Sequence, residues 1–150
     1  LLLGARLPEL GLGKGHRVWR VVAFWVSIPV IFFIINILNG STTLIQLARM
    51  FFGNLLRNGF SEEFLFRGAL QTRLKQWMSS DWALIIQALA FAVWHLGTDT
   101  QFMDGDVLQG LALGIASHSM LGLALGIIFQ RTRNLIAPSI VHVANNMFGS

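Results

Sequence analysis

From Val18 to about Leu38 the chain is almost continuously apolar, long enough to cross the roughly 30 Å hydrocarbon core of a bilayer as a helix. No other stretch narrows the fold as much. In lipid there is no water to satisfy N–H and C=O groups, so a helix that bonds its backbone internally is the expected form. Trp19, Arg20 and Trp25 near its start suit an interfacial anchor. Pro29 inside it is a kink that neighbouring helices can tolerate. Composition generalises the point: only 12% of residues are charged, against about 25% in soluble domains. The expected class is therefore an all-α, polytopic transmembrane helical bundle.

The rest of the chain divides accordingly. Residues 1–17 read as a basic loop with Pro8, Gly11, Gly13 and Gly15, in which His16 has no evident role. Helices are expected over 44–57 and 61–77, separated by a break at Asn58-Gly59. A further helix covers 82–96, and an acidic loop over 97–106 holds Asp99, Asp104 and Asp106. A clear span follows from 107 to about 129, where Gly122 and Gly126 form a small-xxx-small pair suited to close helix approach. The last helix covers 135–148, with Pro138 in its first turn. The chain opens on Leu1 and stops in an apolar run at Ser150, so residues 1–150 are expected to be one membrane domain within a longer protein.

Charge orients such a bundle. The net charge is +4, from 11 basic and 7 acidic residues. The basic turns (Arg17/Arg20, Arg73/Lys75, Arg131/Arg133) alternate with uncharged or acidic ones over 39–43 and 97–106, which places the basic turns on the cytoplasmic side. The excess base thus serves membrane orientation, and no nucleic-acid partner is expected; membrane lipids are. With no cysteine, disulfides, thiolate metal sites and a Cys nucleophile are excluded.

Chemistry concentrates in three polar clusters inside apolar helices. In Phe60-Ser61-Glu62-Glu63-Phe64-Leu65-Phe66-Arg67, Glu63 and Arg67 are four residues apart and pair on one helix face, while Glu62 is rotated about 100° away. An unpaired charge at bilayer depth costs roughly 2.5–3.5 kcal/mol, so it marks a functional candidate. A solvated helix start, with Ser61 as N-cap, is the plainer alternative. The second cluster is Phe91-Ala92-Val93-Trp94-His95, and the third His142-Val143-Ala144-Asn145-Asn146, where His142 and Asn146 share a face and Asn145 is a near neighbour. A carboxylate pair, two imidazoles and a carboxamide can activate a water and stabilise an oxyanion. Glu and His also suit Zn²⁺, although the spacing is not that of His-Glu-x-x-His. His118, between Ser117 and Ser119, is a poor Ser-His hydrolase because adjacent helical residues point apart.

Taken in order, Glu62-Glu63-x-x-x-Arg67, Phe91-x-x-x-His95 and His142-x-x-x-Asn146 resemble the motif series of the CPBP (Abi) intramembrane proteases. The run Leu125-Gly126, Arg131-Thr132-x-x-Leu135-x-x-Pro138 and His142 is similar to that family's approach to its last motif. The likeness covers about residues 59–149. That family includes CAAX prenyl endopeptidases and bacteriocin-processing or self-immunity proteins. The resemblance implies an intramembrane endopeptidase, multi-pass in a bacterial plasma membrane, acting on a membrane-associated peptide or protein, prenylated in the CAAX case. It assigns Glu62 and His95 to water activation and His142 and Asn146 to oxyanion stabilisation, with Glu63 and Arg67 in support. It leaves a metal-free and a metal-dependent mechanism open. Asn146 makes a poor zinc ligand and a good oxyanion donor, which favours no cofactor; a divalent metal such as Zn²⁺ would instead take Glu62, His95 and His142. Two other readings stand beside the protease: a non-catalytic immunity or scaffold member of the family, and a transporter or channel with the buried Glu, His and Arg side chains along an ion path. The topology sets a difficulty for any common site. It puts His95 near the non-cytoplasmic end of its helix and His142 about a turn and a half from the cytoplasmic side, so tilted or re-entrant helices are required.

Overall fold

In the computed structural model, which describes residues 6–147, the first apolar run forms α1 (Val18–Leu38), with the bounds that its hydropathy predicts. At 1.5 Å per residue it is about 31 Å long. Pro29 is its one buried residue, and Phe24, Ile28 and Leu38 are among the large apolar side chains it turns outward. An apolar surface of that extent belongs against lipid.

Thr43 opens α2 (Leu44–Asn54) with a reciprocal cap: its Oγ1 accepts the Gln46 N–H, and Gln46 Oε1 accepts the Thr43 N–H. The expected break at Asn58-Gly59 is absent. The chain continues through a π-helical turn (Leu55–Gly59) into α3 (Phe60–Glu63), a second π stretch (Phe64–Gln71) and α4 (Thr72–Leu74). Gly59 is helical and buried, and a Cβ there would collide with Val143. The glycine admits the last helix and does not turn the chain. Ser61 is likewise no cap; its hydroxyl donates to the Arg57 carbonyl one turn back, at 2.8 Å.

Ser79 caps α5 (Ser80–Trp94). The expected loop over 97–106 is mostly helix. After His95 the chain bends by 50° into α6 (Leu96–Phe102), resuming at once because the Asp99 N–H bonds the His95 carbonyl. Asp106 then caps α7 (Val107–Ala116), accepting from the N–H groups of Leu108 and Gln109. These bonds, that from Gln109 foremost, hold its carboxyl below the usual carboxylate range. With α8 (His118–Thr132) it makes a 26-residue path apolar enough to cross a membrane. α9 (Ile136–Asn146) completes the order; the predicted end at Phe148 lies outside the described residues. Among the described residues there is no strand. Two helical stretches could span a membrane by length and composition, or three if α5 and α6 form one broken span.

α5 lies along α8, α6 against α7, and α1 against α9. Gly122 and Gly126 set the α5–α8 approach as expected: a Cβ on Gly122 would come within 2.9 Å of Ala88 Cα. Leu125, Ile128, Ala137 and Val141 form the core beneath α1. The N-terminal segment is tied down at one end of the bundle, where the Leu135 N–H donates to Gly11 O at 3.0 Å and the His16 N–H to Thr132 O at 2.7 Å. Basic residues gather there as the alternation predicts, Lys14, Lys75 and Arg133 lining a cavity of about 450 Å³.

Gly122→Val is expected to destabilise the protein by about 1–3 kcal/mol through overpacking. Thermal unfolding in detergent measures it, with Gly97→Ala, where an added Cβ meets open space, as the unaffected control.

Candidate active site

Glu63 and Arg67 are both fully buried, and Arg67 Nη1 donates to Glu63 Oε1 at 2.9 Å. The i, i+4 spacing delivers this pair, as the sequence indicates. The same Glu63 oxygen lies 2.8 Å from His142 Nδ1. Because a carboxylate accepts, Nδ1 carries the proton and donates it. Arg67 Nη2 reaches across to the Gly122 carbonyl at 3.2 Å, and Gln87 Nε2 bonds the same oxygen at 2.9 Å. The absence of a Cβ at Gly122 brings α5 close enough for this. Phe91, fully buried, places its ring 4.5 Å from the Arg67 guanidinium, within cation–π range.

Glu62 faces elsewhere. Its side chain is 15% exposed, and among the described residues its Oε2 has no hydrogen-bond partner. That oxygen lies 3.8 Å from His95 Nε2 and 3.9 Å from His142 Nε2. Both separations exceed a direct hydrogen bond and suit one intervening oxygen. His95 closes α5, and its Nδ1 donates to the Phe91 carbonyl at 2.9 Å. The proton on Nδ1 leaves Nε2 of a neutral ring as a lone pair directed at the gap. Glu62, His95 and His142 thus converge, as the common site required.

Asn146 lies one turn beyond His142 on α9, half-buried, whereas Asn145 is exposed. Face geometry therefore favours Asn146. Among the described residues, no hydrogen bond joins its carboxamide to the cluster.

Two residues outside the motifs join the site. His118 stacks on His95 with ring centres 4.2 Å apart and planes within 9°, and its Nδ1 lies 3.0 Å from Oδ2 of the buried Asp99. The Ser-His arrangement does not form, since Ser117 and Ser119 donate to the carbonyls of Leu113 and Ile115. A reading that takes 97–106 as a loop has no reason to pair Asp99 with His118. The available signal was Gly114, where a Cβ would come within 2.8 Å of Asp99 Oδ2.

Among the described residues no group of three or more His, Asp or Glu side chains is disposed to hold a metal ion as it stands. Glu62, His95 and His142 face one gap, with Glu62 Oε2 3.8 and 3.9 Å from the two imidazole nitrogens, and would have to draw closer together to share an ion.

The family model for the Rce1-like type II CAAX prenyl endopeptidases matches residues 44–148. The chain belongs to this family. The match contains every residue of the cluster, so the Rce1-like assignment and the convergent side chains refer to the same part of the molecule. The family is one of proteases, and with apolar helices of spanning length it makes the chain an integral membrane protein. No curated protein and no solved structure matches the chain.

Arg67→Leu leaves the Glu63 carboxylate buried without its cation and is expected to cost about 3–5 kcal/mol. Thermal unfolding in detergent should show this as a large loss, well beyond that of an exposed substitution such as Arg49→Leu.

Proposed function

We propose that the protein is a CAAX-type intramembrane endopeptidase in which Glu62 is the general base. The observation that carries this reading is the orphaned Glu62 Oε2, one small oxygen away from two imidazole Nε2 atoms. A water in that gap donates one proton to Glu62 and one hydrogen bond to His95 Nε2. As Glu62 takes its proton, the water oxygen attacks the scissile carbonyl carbon. The developing oxyanion is met by His142 Nε2–H and the Asn146 carboxamide. Collapse of the tetrahedral intermediate breaks the C–N bond while Glu62 returns its proton to the leaving nitrogen, yielding a carboxylic acid and an amine.

Charge balance supports the donor role of His142. With both of its nitrogens protonated, Glu62, Glu63, Arg67 and His142 sum to zero, the state that a poorly hydrated site favours. Proton transfer from water to Glu62 leaves the four side chains with one positive charge, which the oxyanion formed beside them balances. Were Zn²⁺ held instead, Glu62, His95 and His142 would hold it, and it would supply an acidified bound water.

The substrate is a membrane-associated peptide or protein of the class that the family's description names, carrying a prenyl group. An apolar groove of about 330 Å³ between Leu55, Leu56 and Phe60 on one side and Ile136, Ser139 and Ile140 on the other suits an isoprenoid chain. It lies on the two helical stretches that carry Glu62 and His142.

Cleavage of a prenylated CAAX peptide, with and without a strong chelator, tests the reading beside Glu62→Gln. Glu62→Gln should lower kcat by about 10²–10⁴-fold with unfolding temperature unchanged, and chelation should leave the wild type active. Activity abolished by chelation and restored by Zn²⁺ would overturn the metal-free mechanism. Proton-linked flux lost in the same variant, without cleavage in the wild type, would point to a transporter.

A further inference from the structure

We infer that Asp99 and His118 form a positioning pair that fixes the His95 ring at the proposed hydrolytic site; this rests on the endopeptidase reading above. His95 is held in its own plane by the bond from Nδ1 to the Phe91 carbonyl at 2.9 Å. That single bond leaves the ring free to rock about the line joining the two atoms. His118 removes the freedom. Its ring lies parallel to His95 at 4.2 Å, so any rocking of His95 drives one edge into His118. Phe91, 4.6 Å from His95, limits the ring from a second direction.

A stacked ring stops His95 by its bulk, and an anchor sets where that ring lies. Asp99 supplies the anchor: it is 4% exposed, and its Oδ2 receives the His118 Nδ1–H at 3.0 Å. The backbone is shaped for this. The 50° bend after His95 turns α6 so that Asp99 points back into the bundle, and Gly114 on α7 has no side chain where Asp99 Oδ2 sits. A buried acid and an intramembrane imidazole are costly to retain. Here His118 lies on one face of the His95 ring and Asp99 holds His118 there. The fixed quantity is the direction of His95 Nε2 toward Glu62 Oε2, at 3.8 Å. His118 and Asp99 act through His95 and do not touch the reacting atoms.

The test compares His118→Leu, His118→Phe and the double variant Asp99→Leu/His118→Leu, the last removing both buried polar groups so that neither is orphaned. In the wild type and each variant, kcat and KM are measured on the prenylated peptide, and unfolding temperature in detergent. His118→Leu and the double variant should lower kcat by about 10–100-fold, as for a misplaced catalytic group, with KM little changed. His118→Phe, which keeps a flat ring, should recover most of that loss. An unaltered kcat in the well-folded double variant would overturn the inference, as would a Phe variant no better than Leu. A second readout does not require turnover. The ring-proton NMR signals of His95, assigned through His95→Gln, should lose their ring-current displacement in His118→Leu and retain one in His118→Phe. If the wild type cleaves nothing, the endopeptidase reading fails, while those signals still decide whether His118 fixes the His95 ring.

Discussion

The three-way contact of Arg67, Glu63 and His142 is the interaction on which the rest of this bundle depends. All three side chains are essentially excluded from solvent, where a charge without a partner costs several kcal/mol. Only one mutual placement of the helices supplies partners to all of them. Glu63 must face α9, and Arg67 must reach the Gly122 carbonyl on α8. Gln87 from α5 closes on that carbonyl as well. Apolar side chains in lipid can slide past one another at little cost, whereas this network admits a single register. The polar core therefore gives the bundle specificity that its greasy surfaces cannot.

The two adjacent glutamates divide the labour. Glu63 Oε1 is shared by Arg67 and His142, while Glu62, one residue earlier and turned about 100° round the helix, directs its Oε2 at the gap between two imidazoles. The bonds to Glu63 Oε1 fix the helix from which Glu62 projects. The His142 ring is likewise fixed through Nδ1 so that Nε2 faces Glu62. Both imidazoles directed at the gap are thus oriented by a partner on their far side, the condition for stabilising a developing charge without reorganisation.

Much of this was legible because it rests on local rules. The bounds of α1 follow from hydropathy, the Glu63–Arg67 pair from its four-residue spacing, and the α5–α8 approach from Gly122 and Gly126. On α9 the spacing put His142 and Asn146 on one face and left Asn145 open as a near neighbour; the partial burial of Asn146 beside an exposed Asn145 was not in the spacing. The failures were tertiary. Asn58-Gly59 has the composition of a turn, but Gly59 serves contact with Val143, which lies 84 positions away and leaves no trace in the local pattern. Asp99 read as a loop acid because aspartates with no Lys or Arg nearby resemble solvent-facing chain. What turns it inward is His118, brought near by the bend after His95. The roles of Glu62, His95, His142 and Asn146 came from a resemblance and not from spacing; proximity supports them for the first three.

The spacing of the buried charges along the chain also bears on how the protein can be made. Glu63 and Arg67 lie on a single helical stretch, so they can cancel one another as soon as that stretch emerges and coils, before α5 to α9 have been synthesised. The pair then enters the bilayer as a nearly neutral dipole in place of two bare ions, and waits for its later partners. Gly122 and Gln87 arrive next, and His142, 79 positions after Glu63, arrives last. The site is therefore assembled in order of synthesis, with the ions neutralised first and the imidazole that completes the pocket delivered by the final helix.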